Sequence, residues 1–141
     1  MKNNIKISDI KVHFGGVNAP KDNQLIELLK DAYTGTLLVC TAIIKIDGIK
    51  PFSDFRPTIS NEFRSYFENI EKEGTPPPLY VYPQNKLFIM SDDYNSYYLY
   101  VEKGYSSAVC IVLGEATGGF VIKKSEPFRL PTPTAVVISK K

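Results

Sequence analysis

The chain has one histidine, two cysteines and no long apolar run among its 141 residues. His13 alone cannot supply a histidine-cluster metal site, and it can pair with a cysteine only if the fold brings the two together. Cys40 and Cys110 both lie inside apolar runs, LLVCTAII and AVCIVL, where a cysteine usually behaves as a small buried hydrophobe. We therefore expect two buried thiols rather than a disulfide or a reactive nucleophile.

The sequence also lacks the patterns that mark membrane insertion and several common active sites. No apolar run approaches the roughly 20 residues needed to span a bilayer. The opening MKNNIKISDIKV has neither a continuous apolar core nor a small-residue cleavage site, so it does not predict a signal peptide. Neither a Gly-x-Ser-x-Gly elbow nor a phosphate-binding glycine-rich loop occurs. These absences favour a cytoplasmic protein without membrane contact, and they leave no catalytic residue to assign.

A net charge of +2 is small for a dedicated polyanion binder, because phosphate binding normally shows as clustered lysine and arginine. Only Lys123, Lys124, Arg129 and the two C-terminal lysines gather at all, and a solvated tail explains them equally well. Nucleic-acid or nucleotide binding is permitted by this charge but not indicated by it. A protein partner is equally open, and the sequence does not determine the oligomeric state.

Apolar spacing and capping residues predict helices. Residues 23–33 place leucines at helical spacing behind Asp22 or Asn23 as the cap. The stretch between Ser60 and Gly74 carries an i, i+3, i+4, i+7 apolar stripe, and it begins with a capping residue and ends with a stop. Together with the strands described next, these helices predict an α+β fold.

Runs rich in β-branched and aromatic residues predict the strands. TLLVCTAIIKI and AVCIVL are both expected to be buried strands. LYVYP and KLFIM form the arms of a hairpin across Gln84 and Asn85. Alternating patterns predict further strands in IKISDIKV, near the start of the chain, and in GGFVIKKSEPFRL and TAVVISKK toward its end.

The stretch SDDYNSYYLYVEKGY, residues 91–105, predicts a third helix. Ser91 can cap it, and Asp92 and Asp93 suit the positive helix end. The expected apolar stripe consists of Tyr94, Tyr97, Tyr98, Val101 and Tyr105. The tyrosines expected to stay exposed, for base stacking or for a protein interface, are Tyr80, Tyr82 and Tyr100, the last of which lies off the stripe.

The order of the pieces "IKP…FR", "IEKEG…PPPLYVYP" and "YVEKGYSSAVCIVLG" resembles the ParB/sulfiredoxin-like domain of partition proteins, ParB-like nucleases and sulfiredoxins. The resemblance covers roughly residues 41–115. It implies a small mixed sheet with about three helices, within one domain of residues 1–141. Residues 1–40 would then be an N-terminal strand and helix extension, and residues 116–141 would add C-terminal strands.

The phosphate motif of that family is missing here. Its members place a glycine-histidine-arginine type motif at the helix start after the hairpin, where backbone amides and the arginine hold phosphate. The corresponding residues are Ser91, Asp92, Asp93, Tyr94, Asn95 and Ser96. Two carboxylates at a helix N-terminus repel phosphate, and neither cysteine falls within the motif, which disfavours sulfiredoxin chemistry. The resemblance thus implies a catalytically degenerate domain that binds nucleic acid or a nucleotide-like ligand.

Several residues could contact such a ligand. The candidates are Arg56, Ser91, Asp92, Asp93, Tyr94, Asn95 and Tyr100. Arg56 could reach an anion, or it could form a structural salt bridge. Asp92 and Asp93 could hold Mg²⁺ or simply complement the helix dipole.

Two other functions stay open. The chain could be a non-enzymatic protein-interaction or inhibitor module that uses its tyrosine-bearing surface. It could also be a metal-dependent ParB-like nuclease or nucleotide hydrolase, in which a divalent ion would have to supply the positive charge missing from the helix start.

Overall fold

The structure, a computed structural model, describes residues 20–130. These residues have the predicted α+β class, with three helices and seven strands. In chain order the elements are α1 (Asn23–Tyr33), β1 (Leu38–Lys45), a 3-10 turn (Ile46–Gly48), β2 (Ile49–Pro51), α2 (Asn61–Lys72), β3 (Leu79–Gln84), β4 (Leu87–Met90), α3 (Tyr94–Glu102), β5 (Ser107–Val112), β6 (Val121–Lys124) and β7 (Phe128–Arg129). His13 and the strands predicted in IKISDIKV and TAVVISKK lie outside the described residues.

The seven strands form one mixed sheet. Its order is β2-β4-β3-β5-β1-β6, and β7 pairs with the start of β1. Strand β1 is antiparallel to β5, and β3 is antiparallel to β4, whereas the pairs β2–β4 and β3–β5 are parallel. Each parallel pair is joined through a helix, because a parallel connection needs a crossover too long for a tight turn.

Side chains on the two faces of the sheet build two separate cores. Alternate residues of a strand point to opposite faces, so Val39 of β1 faces one way and Cys40 the other. Helix α1 covers the first face, where the buried residues are Leu25, Leu29, Ala32, Tyr33, Val39, Tyr82, Ile89 and Leu113. Helices α2 and α3 cover the second face, whose larger core includes Phe67, Leu99, Tyr100, Cys110 and Val112. Both cysteines are free and buried, as expected.

The first two helices begin where their capping residues predict. The Asp22 carboxylate accepts hydrogen bonds from the backbone N–H groups of Gln24 and Leu25, at 3.0 and 3.3 Å. The Ser60 hydroxyl accepts from the Phe63 N–H at 3.1 Å. These bonds satisfy donors that have no partner inside a helix. None of the helices within residues 20–130 is long and apolar enough to cross a bilayer.

The hairpin is present, but its turn is displaced by one residue from the prediction. Gln84 is the last residue of β3, paired with Leu87, so the turn consists of Asn85 and Lys86. Both turn residues have positive φ, 52° and 68°. That backbone matches a type I′ turn, whose twist suits a two-residue hairpin. Asparagine tolerates this conformation, whereas lysine is strained there.

Helix α3 differs from the prediction in its start and in its buried face. It begins at Tyr94 with Asp93 in the N-cap position, and Ser91 does not cap it. Its buried residues are Tyr94, Ser96, Leu99 and Tyr100. Val101, placed on the predicted stripe, is 45% exposed, whereas Tyr100 is only 1% exposed. Because leucine, valine and tyrosine side chains together line most sides of this helix, its spacing supports more than one apolar stripe, and packing against the sheet selects the one through Leu99 and Tyr100.

Candidate functional site

The loop of residues 52–60, between β2 and α2, lies against the first turn of α3. The Phe52 N–H donates to the Met90 carbonyl at 2.8 Å, which ties the loop to the end of β4. The Ser53 hydroxyl and the Tyr94 phenol share a hydrogen bond of 3.0 Å. The Phe55 ring packs edge-on against the Tyr94 ring, with centroids 5.2 Å apart. This loop therefore brings Arg56 to the segment that carries most of the predicted ligand residues.

Arg56 stacks on an aromatic ring of α3. Its guanidinium carbon lies 4.4 Å from the centroid of the Tyr98 ring, a distance typical of a cation–π contact. The Tyr98 ring is in turn held edge-on by Tyr97, with centroids 5.0 Å apart. Arg56 is exposed and Tyr98 is half-buried, so the planar cation stays at the surface while the ring beneath it is fixed.

Asp93 is directed into the fold. Its Oδ2 atom accepts a hydrogen bond of 2.8 Å from the Tyr80 N–H at the start of β3. Burial raises the pKa of the Asp93 carboxyl to about 6, although the bond from Tyr80 opposes the shift. This carboxylate joins α3 to the sheet and does not cap the helix.

The possible magnesium site at Asp92 and Asp93 gains no support from further ligands. Within residues 20–130 no group of three or more histidine, cysteine, aspartate or glutamate side chains could hold a metal ion. One oxygen of Asp93 is already committed to the Tyr80 N–H. Asp92 is half-buried.

Two polar atoms beside this turn are buried and unsatisfied. Ser91, 3% exposed, has a hydroxyl without a hydrogen-bond partner among the described residues, and the same holds for the Oδ1 atom of Asn95. A buried polar group without a partner costs roughly 1–3 kcal/mol. Both atoms are closed off from solvent, so neither of these two predicted ligand residues presents this polar atom at the surface.

The remaining predicted contacts, Tyr94 and Tyr100, are core residues. The Tyr94 phenol is occupied by Ser53. The Tyr100 hydroxyl donates to the Pro77 carbonyl at 3.0 Å and accepts a hydrogen bond of 3.4 Å from the Val109 N–H. The expectation that Tyr82 and Tyr100 stay exposed is wrong, because each is enclosed by the sheet and a helix. Tyr80 is half-buried, and its phenol is hydrogen-bonded to that of Tyr33 at 2.9 Å.

Two residues of this surface were not among the predicted contacts. Tyr98 was assigned to the apolar stripe, yet it supports Arg56. Phe52 is 42% exposed directly after β2, and its N–H is bonded to the Met90 carbonyl at the end of β4. The available signal was the segment PFSDFRP, in which aromatic residues accompany an arginine between two prolines.

The assignment to ParB/sulfiredoxin-like domains stays a prediction from the sequence. No protein-family model matches this chain, and no curated protein matches it.

Proposed function

We propose that this chain is a catalytically degenerate ParB/sulfiredoxin-like protein that binds nucleic acid or a nucleotide-like ligand. The binding surface consists of the loop of residues 52–60 and the exposed side of α3, and we call it the loop–α3 surface. The single observation that carries the proposal is the stack of Arg56 on Tyr98. An exposed arginine supported by an aromatic ring can stack on a base and can pair with a phosphate.

The charge distribution determines where an anionic group can sit. Asp92 and Asp93 oppose phosphate at the N-terminus of α3, where backbone N–H groups would otherwise attract it. Arg56 is the only cation in the sequence FSDFRPTIS of the loop, and the segment SDDYNSYYLYVE contains none. A phosphate of the ligand therefore belongs beside the guanidinium of Arg56, not at the helix start.

Calorimetric titration with nucleotides, and anisotropy titration with labelled oligonucleotides at low salt, test this proposal. We expect Arg56→Ala to weaken binding about tenfold, because a charge-assisted contact is worth roughly 1.5–3 kcal/mol. Lys72→Ala removes one positive charge from the exposed end of α2 and should leave affinity nearly unchanged. Absence of binding to duplex DNA, single-stranded DNA, RNA and nucleotides alike would refute the proposal.

A second candidate, a protein-interaction module, is favoured by one further observation. Tyr66 on α2 is 51% exposed and Val101 on α3 is 45% exposed, and these two helices pack against each other through Phe67 and Tyr100. Tyrosine is enriched at interfaces. Co-purification from a native lysate should recover a protein that the double variant Tyr66→Ser, Val101→Ser no longer retains. Recovery of nucleic acid alone would exclude this function.

A further inference from the structure

We infer that the loop–α3 surface recognises an unpaired base mainly by stacking, and that the phosphate backbone adds no contact beyond the one at Arg56. This inference rests on the proposed function and specifies its ligand as single-stranded nucleic acid. Stacking faces and the scarcity of positive charge lead to it independently.

Two residues of the loop, Phe52 and Arg56, offer stacking faces. Arg56 offers a planar guanidinium supported by the Tyr98 ring. Phe52 offers an exposed ring whose backbone is fixed by the Met90 carbonyl. Bases inside a duplex already stack on their neighbours, so a protein ring or guanidinium can stack only on a base that has left the helix. The surface is therefore suited to a single strand.

The charge of the same surface argues against recognition through the backbone. Arg56 is its one cation, and Asp54 and Asp92 belong to the same two segments. Arg64, on the neighbouring helix α2, is already engaged by both carboxylate oxygens of Glu102, at 2.6 and 3.1 Å. A surface that neutralises about one phosphate of a single strand has a slope of log affinity against log salt of roughly −0.7, whereas a backbone binder with several contacts has a far steeper one.

The test compares three labelled probes by fluorescence anisotropy: an oligothymidylate of about twelve nucleotides, an abasic strand of the same length, and a duplex of that length. We expect the oligothymidylate to bind at least tenfold more tightly than the other two, because base stacking is worth roughly 1–3 kcal/mol per base. Between roughly 50 and 300 mM salt, its log–log slope should stay near −1 or shallower.

Variants separate stacking from charge. Tyr98→Leu and Phe52→Ala should each weaken oligothymidylate binding by about fivefold or more, while Tyr98→Phe, which keeps the ring, should bind like the unmodified protein. Tyr66→Ala removes an exposed ring from α2 and serves as the matched control, with no expected loss. Thermal melts of all variants verify that they are folded.

The outcomes distinguish this inference from the function on which it rests. Equal binding of the abasic strand or the duplex, or a slope near −3 or steeper, would overturn recognition by stacking and leave the proposed function intact. Retention of full affinity in the folded Tyr98→Leu and Phe52→Ala variants would overturn it too. If no probe and no nucleotide binds, both the recognition by stacking and the proposed function are refuted.

Discussion

Asp22 joins the first helix to the sheet through a single carboxyl group. One oxygen accepts the two backbone N–H bonds that cap α1, and the other accepts a bond of 2.7 Å from the Tyr82 phenol. The side chain is buried, so the loss of these bonds leaves donors that water cannot easily reach. The sequence predicted the cap but gave no sign of the partner from β3.

We expect Asp22→Ala to lower the free energy of unfolding by about 2–4 kcal/mol, since it removes a helix cap and leaves a buried phenol without its acceptor. Tyr82→Phe is the matched control, because it removes the phenol and keeps the cap, and it should cost about 1–2 kcal/mol. Urea denaturation followed by circular dichroism measures both. The prediction fails if the alanine variant is no less stable than the phenylalanine variant.

The contribution of Asp93 to the free energy of unfolding falls as the pH rises. Burial raises its pKa in the folded protein to about 6, above the ordinary value of about 4 for an unfolded chain. The folded state thus holds the proton more tightly. The stabilisation from the protonated form is fully present below about pH 4 and is lost as the pH rises through about 6.

Asp93→Asn should therefore raise the free energy of unfolding at pH 8 by about 1–3 kcal/mol and change it little at pH 4. The asparagine carbonyl can still accept the bond from the Tyr80 N–H, so the variant removes the charge and keeps the contact. Asp54→Asn, on the exposed loop, is the control for removal of a carboxylate and should leave the free energy of unfolding nearly unchanged. Urea titrations at the two pH values are the measurement, and destabilisation by Asp93→Asn at pH 8 would contradict this account.

The turn of the β3–β4 hairpin contains a strained residue. Lys86 has a φ of 68° in the two-residue turn, where a side chain with a Cβ atom costs roughly 1–2 kcal/mol and glycine is favoured. We expect Lys86→Gly to raise the free energy of unfolding by about 0.5–1 kcal/mol, after the entropy of glycine in the unfolded chain is deducted. Gln84→Gly, within strand β3, should lower it instead. Thermal melts of the two variants test the turn directly, and stabilisation by both or by neither would contradict it.

Helix α3 shows how far an element can be predicted from its own residues. Its existence and its end near Gly104 follow from spacing and from a glycine with positive φ. Its start does not, because Ser91, Asp92 and Asp93 are all acceptable caps by residue type. The side chain of Asp93 is turned instead to a strand that lies thirteen positions earlier in the chain. The differences in free energy between these capping residues are too small to select one of them. A buried contact with the sheet contributes more and therefore sets the helix start.

The reactivity of the two thiols measures how often the sheet of the whole molecule opens between β1 and β5. Cys110 of β5 is paired with Ala42 of β1, and Cys40 of β1 with Val112 of β5. Both are central in the strand order. Burial raises the pKa of each thiol, and the thiolate is the form that reacts. Neither thiol should therefore react while β1 and β5 stay together.

We expect Ellman's reagent to modify Cys40 and Cys110 together, at a rate that follows global unfolding and rises with urea. Single variants Cys40→Ala and Cys110→Ala isolate each thiol, and their labelling rates should agree once corrected for stability. Rapid labelling of one thiol in the native protein would show that part of the sheet opens on its own.

Short-range features of the amino-acid sequence are enough to predict the class of fold, the caps of α1 and α2, the hairpin arms and the burial of both cysteines. Each of these follows from short-range rules: the period of apolar residues, the chemistry of caps and turns, and the burial of cysteine in apolar runs. Tertiary packing determines which side of α3 is buried, that Tyr100 belongs to the core, and that Arg56 lies over Tyr98. Those outcomes depend on residues far apart in the chain, where the free energy of packing exceeds any local preference.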